Sequence, residues 1–135
     1  MARPLGILLI SAGHERAHYA LVLATGAAAL GRDVTLFATN EGCRLLLEAA
    51  PLAGDAREAA LAAAGVAGVA VLLEAAQELG LRLLACEAGL RASGLAGRRC
   101  CPGWWWPGSP ASSPPSARAR SSRYSLTDHG LAWHA

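Results

Sequence analysis

PLGILLI, at residues 4–10, and DVTLFAT, at residues 33–39, are the two stretches of this sequence that decide its fold. The first is continuously apolar and the second is rich in β-branched and aromatic residues, as is typical of strands in a buried parallel sheet. Residues 14–30 between them are predicted to form a helix that ends at Gly31. This helix is expected to be amphipathic or largely buried, because apolar side chains recur at helical spacing. They are Tyr19, Val22, Leu23, Ala27 and Leu30.

The rest of the first 95 residues repeats the alternation of strands and helices. A helix is predicted from Thr39 or Asn40 through Cys43 to about residue 49, with further helices at residues 55–64, 69–79 and 87–93. LRLLA at residues 81–85 predicts a third strand. Because parallel strands need long crossovers, this order predicts a three-layer α/β/α fold with a mainly parallel sheet. Three strands are fewer than the usual ~5–6 of such a sheet.

Length and charge exclude several classes of protein. A chain of 135 residues is enough for one small domain and not for a multi-domain enzyme. Residues 1–97 hold 7 Arg and 9 acidic residues, a net charge of −2, whereas residues 98–135 hold 5 Arg and 1 acidic residue, a net charge of +4. The excess positive charge therefore lies in residues 98–135, and we expect no nucleic-acid partner.

The apolar segments predict a cytoplasmic protein. The run at residues 5–10 is shorter than the ~7–15-residue core of a signal peptide. The runs at residues 17–31 and 59–73 are shorter than the ~20 residues that span a bilayer, so we expect no membrane partner. Four cysteines in a chain without an export signal are then expected to be thiols in a reducing compartment.

The composition changes abruptly near Arg98. All four Trp and five of the seven Pro lie beyond residue 100, in a tail rich in Pro, Ser, Arg and Trp. A disordered tail is one interpretation. The favoured one is that residues 98–135 are translated out of frame and disordered, whereas residues 1–97 form the α/β domain. Trp104–Trp106 and Pro107 can only be encoded TGGTGGTGGCCN, and reading from the third base of each codon turns this into Val-Val-Ala. As translated, Pro102 and Pro107 bracket the three Trp and remove N–H donors, so this run is not expected to replace a strand.

Three segments resemble a known family. They are HERAHYALVLATGAAALGRDVTLFATNEGCRLL at residues 14–46, LLEAAQELGLRLLACEAGLRASGL at residues 72–95, and the retranslated LLPGVVVAG. Together they are similar to the DsrE/DsrF-like (DsrEFH, Tus-type) small α/β proteins, some of which are labelled peroxiredoxin-like. The resemblance implies a five-stranded parallel sheet between helices and homo-oligomers such as trimers or hexamers. It also implies a relay of sulfur, as a cysteine persulfide, between donor and acceptor proteins, with Cys86 at the sulfur-carrying position. The tail departs from the family pattern.

Four residues are the candidates for chemistry. Cys86 follows the third strand, and its sulfur can face the N–H groups of the next helix, whose dipole favours a thiolate. Glu87 opposes this effect, and a buried structural cysteine is the alternative. Because the carboxyl ends of parallel strands lie at one edge, His14, Asn40 and Cys43 are candidates to share a binding cleft with Cys86. The alternatives are a solvated His14 and a Cys43 that only fills the core.

The residues leave three functions open. The favoured one is a sulfur-trafficking protein, a sulfurtransferase or sulfur carrier, that holds a persulfide on Cys86. A non-catalytic oligomeric module that binds a small ligand is the second, and a thiol-redox protein with a Cys43–Cys86 disulfide is the third. His14 and His18 have the i, i+4 spacing of a metal pair, but no third ligand follows at matching spacing, so no metal or other cofactor is expected. Phosphate-binding glycine loops and serine-hydrolase motifs do not occur in the sequence.

Overall fold

The computed structural model describes residues 2–100 and the backbone of residues 104–105. Four parallel strands pair in chain order: β1 (Leu5–Leu9), β2 (Val34–Ala38), β3 (Arg82–Ala85) and the two-residue β4 (Trp104–Trp105). The prediction of an α/β fold with a parallel sheet is confirmed for these residues, and the first three strands lie where the sequence predicts them.

Four α-helices connect or follow the strands: α1 (His14–Ala29), α2 (Arg57–Ala63), α3 (Val69–Glu78) and α4 (Glu87–Ala92). Their bounds agree with the predicted helices to within one or two residues, the usual uncertainty of helix ends. Two 3₁₀ segments, Asn40–Leu46 and Pro51–Gly54, lie between β2 and α2. Within the part of the chain that the structure describes, no helix is long and apolar enough to cross a membrane.

The buried core joins one face of the sheet to α1, to α3 and to the 3₁₀ segment Asn40–Leu46. α1 packs against β1, β2 and α3. Alternate strand residues point into this layer because the side chains of a strand alternate between its two faces. The buried members of the three longer strands are Ile7, Leu9, Val34, Leu36, Ala38, Leu83 and Ala85.

The face of α1 that meets the core differs from the expected apolar one. Ala17, Leu21 and Ala24 are fully buried, whereas Tyr19 is 63% exposed and Leu30 83% exposed. Val22 and Leu23 are also exposed, and only Ala27 of the predicted apolar set is buried. Small alanine side chains on either side of Leu21 let the helix axis lie close to the sheet, whereas Tyr19, Val22 and Leu23 face outward.

The segment after β2 is a 3₁₀ helix rather than the predicted α-helix to residue 49. It ends at Leu46, and Leu47 is extended and bridges to Cys100 in an antiparallel sense. The cause is a close approach at Gly42, whose N–H donates to the Ile10 carbonyl at 3.0 Å. A Cβ at this position would overlap the Leu9 carbonyl, so the chain is held against the end of β1 in a tighter turn than an α-helix makes.

The backbone of Trp104–Trp105 pairs with Leu83 and Leu84 of β3. This corrects the expectation that the tryptophan run does not take a strand position. Pro102 and Pro107 lie outside the two paired residues, so their missing N–H groups do not interrupt the pairing. The strand occurs at the point where the retranslated sequence also predicts one. The predictions for residues 106–135 fall outside the described residues.

Candidate functional site

Two of the cysteines meet at the carboxyl edge of the sheet. The Cys86 N–H donates to the carbonyl oxygen of Ala38, the last residue of β2, at 2.8 Å. The Cys43 thiol donates to the same oxygen, with Sγ at 3.4 Å. Because one carbonyl accepts from both residues, the structure brings Cys43 and Cys86 together, and both are reduced thiols.

The Cys86 side chain caps helix α4. Its Sγ accepts a hydrogen bond from the Gly89 N–H at 3.4 Å, and the residue is only partly buried. The local sequence C-E-A-G produces this cap because the third residue of the helix offers a free N–H to the side chain before it. The sulfur of Cys86 therefore has a stabilising donor and remains accessible.

Cys43 has a different environment. It lies within the 3₁₀ segment Asn40–Leu46, and its side chain is fully buried. Burial raises the pKa of the Cys43 thiol, and the negative charge of a Cys86 thiolate raises it further. The structure therefore favours Cys43 as a protonated thiol of the core and leaves Cys86 as the accessible sulfur of the pair.

Asn40 stands next to this pair. It has a left-handed backbone conformation with φ of 49°, which asparagine tolerates better than most residues. A Cβ at Gly89 would overlap the Asn40 backbone nitrogen, so glycine at position 89 lets α4 and the 3₁₀ segment come into direct contact. Three predicted site residues, Asn40, Cys43 and Cys86, thus lie together.

His14 is buried rather than solvated. It is 3% exposed, and its Nε2 lies 2.5 Å from the Glu58 Oε1. Its ring stacks on that of His18, with centroids 5.9 Å apart and planes 10° from parallel. Within the described residues these contacts lead to α2 and not to Cys86, and the Nδ1 atom of His14 is buried without a hydrogen-bond partner.

Glu58, which contacts the stacked pair of His14 and His18, is a residue that the sequence pattern did not single out. The Val69 N–H, at the start of α3, donates to both carboxylate oxygens, at 3.1 and 3.2 Å. Partial burial raises the pKa of Glu58, but the hydrogen bonds from His14 and Val69 outweigh it and hold this pKa below its ordinary value. A Cβ at Gly68 would overlap the carboxylate, so glycine leaves room for Glu58 at the helix start.

His18 makes a second contact from α1, to the segment between α2 and α3. A carbonyl oxygen can only accept, so the His18 Nε2–H donates to the Ala67 carbonyl, at 2.9 Å. Among the described residues, no group of three His, Cys, Asp or Glu side chains could hold a metal ion.

A cavity of about 310 Å³ lies at the opposite, amino edge of the sheet, between Arg32, Gly80 and Arg82, and is separate from the cysteines.

Neither a family model nor a characterised protein sequence matches this chain.

Proposed function

We propose that this protein carries sulfur as a persulfide on Cys86. The observation that carries the proposal is the environment of the Cys86 Sγ, which is partly accessible and accepts a hydrogen bond from the Gly89 N–H. A sulfur that is to attack and later leave needs both access and a donor for its negative charge. The resemblance of residues 72–95 to the DsrE/DsrF-like proteins supports the choice of this cysteine.

The chemistry is two successive transfers between thiols. The Cys86 thiolate attacks the terminal sulfur of a donor persulfide, the Cys86 S–S bond forms, and the donor leaves as a thiolate. An acceptor thiolate then attacks the terminal sulfur of Cys86 persulfide, the Cys86 S–S bond breaks, and the Cys86 thiolate is regenerated. No net oxidation occurs, so the cycle requires a sulfur donor and a sulfur acceptor only.

His14 has no step in this cycle. Its Nε2 contacts Glu58 and its ring stacks on that of His18, so it holds α1 to α2. The accessibility of the Cys86 Sγ and its hydrogen bond from the Gly89 N–H, rather than a neighbouring base, support Cys86 as the carrier.

The proposal includes a larger assembly and a second helical layer. Leu8, Phe37 and Leu84 are partly buried and stand in register across β1, β2 and β3, on the sheet face opposite α1. An apolar row of this kind suits a three-layer fold with five strands, as the family resemblance implies. The proposal also includes a cytoplasmic location, and the homo-oligomer and the donor and acceptor proteins that the family resemblance implies.

Intact mass measurement tests the carrier function. The full-length protein is incubated with a polysulfide, desalted and weighed, before and after treatment with dithiothreitol. We expect the gain of one sulfur atom, its removal by dithiothreitol, and no gain in Cys86→Ser. Cys43→Ser is the matched control, since it removes the buried partner and should leave the gain intact. A wild-type protein that never gains sulfur would refute the proposal.

A thiol-redox protein is the second candidate, and the shared Ala38 carbonyl favours it. In this cycle a peroxide oxidises Cys86 to a sulfenic acid and is itself reduced, the Cys43 thiol displaces water to form a disulfide, and an external thiol reduces that disulfide to restore both cysteines. The burial of Cys43 and the raised pKa of its thiol slow the second step. Peptide mapping without reductant, after peroxide treatment, distinguishes the candidates, since only this one predicts a Cys43–Cys86 disulfide.

A further inference from the structure

Cys43 is a second thiol beside the proposed carrier, and the transfer cycle of Cys86 does not use it. The Ala38 carbonyl accepts from the Cys86 N–H at 2.8 Å and from the Cys43 thiol, with Sγ at 3.4 Å. Burial raises the pKa of the Cys43 thiol, and a hydrogen bond from the Cys86 N–H to the Cys43 sulfur opposes this effect. The backbone of Cys86 is therefore in direct contact with the sulfur of Cys43.

We propose that the Cys43 thiol discharges a persulfide on Cys86 as hydrosulfide when no acceptor thiol is present. This inference rests on the proposed function, since it begins with the loaded Cys86. The Cys43 sulfur attacks the Cys86 Sγ, a bond forms between the two cysteines, and the bond from the Cys86 Sγ to the terminal sulfur breaks. The proton of the Cys43 thiol leaves with the terminal sulfur as HS⁻. The terminal sulfur is reduced, the two cysteines are oxidised to a disulfide, and an external thiol later reduces that disulfide.

The burial of Cys43 suits it to this step rather than to loading. Its side chain is fully buried, whereas Cys86 is partly exposed, so an external sulfur donor reaches Cys86 first. Attack by Cys43 needs no path through solvent, because both residues already meet at the Ala38 carbonyl. A nucleophile held beside its target acts at a high effective concentration. Cys43 is therefore placed to react with a sulfur atom that has already been loaded.

Charge at the Cys86 Sγ sets the order of the two steps. Burial raises the pKa of the Cys43 thiol, and the negative charge of a Cys86 thiolate raises it further, so Cys43 stays protonated before loading. A persulfide anion carries its charge on the terminal sulfur and not on the Cys86 Sγ. Loading therefore weakens the repulsion that opposes ionisation of Cys43. The effect of burial remains, so we expect the discharge to be slower than transfer to an exposed acceptor thiolate.

Release of hydrosulfide from the loaded full-length protein tests this inference. The protein is loaded with a polysulfide, desalted and kept without oxygen, peroxide or added thiol, and samples are assayed for hydrosulfide and mapped for disulfides. We expect one hydrosulfide and one Cys43–Cys86 disulfide for each persulfide lost, at a first-order rate that does not depend on protein concentration. Cys43→Ser and Cys43→Ala should each slow the release at least ~10-fold, because only attack from another molecule remains. Cys100→Ser is the matched control, since it removes another free thiol that packs against the core and leaves Cys43 in place.

The outcomes separate this inference from the carrier function. A wild type that never gains sulfur refutes both, whereas a Cys86 persulfide that is stable under these conditions refutes only the discharge. A disulfide that joins Cys86 to Cys100 or Cys101 instead of Cys43 would overturn the inference, and this mapping needs no variant. Equal release from wild type and the folded Cys43 variants would overturn it too, as would a first-order rate constant that rises in proportion to protein concentration. Circular dichroism shows which variants are folded.

Discussion

The Nε2 of His14 lies 2.5 Å from the Oε1 of Glu58, a residue 44 positions further along the chain. This contact joins the first turn of α1 to α2. Because the Val69 N–H donates to the same carboxylate, it also joins both helices to the start of α3. One carboxylate thus fixes the relative positions of three helices beside the sheet.

Glu58→Gln should lower the free energy of unfolding by ~1.5–3 kcal/mol, the usual contribution of a hydrogen bond to a charged group. The side chain of His14 is almost fully buried and that of Glu58 is 20% exposed, so solvent screens this contact only in part. Chemical denaturation of the two proteins measures the difference. Glu74→Gln, at an exposed position of α3, removes a charge of the same sign and should change the unfolding free energy by less than ~0.5 kcal/mol.

The contribution of Glu58 should depend on pH with a definite sign. Its pKa is lower in the folded protein than in the unfolded chain, so the ionised carboxylate stabilises the fold above the ordinary pKa of 4.5. The stabilisation is lost as pH falls through the lowered pKa. We expect the difference in unfolding free energy between wild type and Glu58→Gln to be constant from pH 6 to 8 (about the neutral range) and to shrink towards acid. A difference that grows on acidification would contradict the assigned role.

Gly68→Ala should displace the Glu58 carboxylate without changing Glu58 itself. The new Cβ would overlap Glu58 and force it away from the Val69 N–H, whereas the backbone at Gly68, with φ of −82°, accepts alanine. Gly68→Ala and Glu58→Ala should each destabilise the protein, and the double variant by less than the sum. Additive effects in this double-mutant cycle would show that Gly68 does not act through Glu58.

Gly42→Ala should be among the most destabilising alanine substitutions of a glycine in this chain. The added Cβ would overlap the backbone carbonyl of Leu9, which cannot rotate away as a side chain can. We expect a loss of ~1–3 kcal/mol, typical of overpacking, measured by denaturant unfolding. Gly13→Ala is the control, since a Cβ there meets nothing within 4 Å and φ is −59°. Equal effects at the two positions would count against the close approach at Gly42.

The elements that the sequence predicts well are those with strong local signals. PLGILLI and LRLLA are apolar runs bounded by breakers, and both are strands in the structure. The position of Cys86 between strand and helix follows from the same pattern. Local signals suffice here because a parallel strand buried in a sheet requires apolar residues wherever it pairs.

The elements that the sequence predicts poorly depend on distant residues. The buried face of α1 contains His14 and His18, which can be buried because Glu58 and the Ala67 carbonyl bind them. Neither partner is close in sequence, so periodicity alone favoured the larger apolar residues as the core face. The 3₁₀ segment after Asn40 likewise depends on the approach of Gly42 to β1, a contact that no local pattern reveals.

The most direct test of the central claim is the location of the added sulfur. After incubation with a polysulfide, the protein is alkylated, digested and analysed by mass spectrometry, and the persulfide is quantified on each cysteine peptide. We expect most of it on the peptide with Cys86 and little on the peptide with Cys43, which is fully buried. An unmodified Cys86, or sulfur spread evenly over the cysteine peptides, would contradict the assignment of Cys86 as the sulfur carrier.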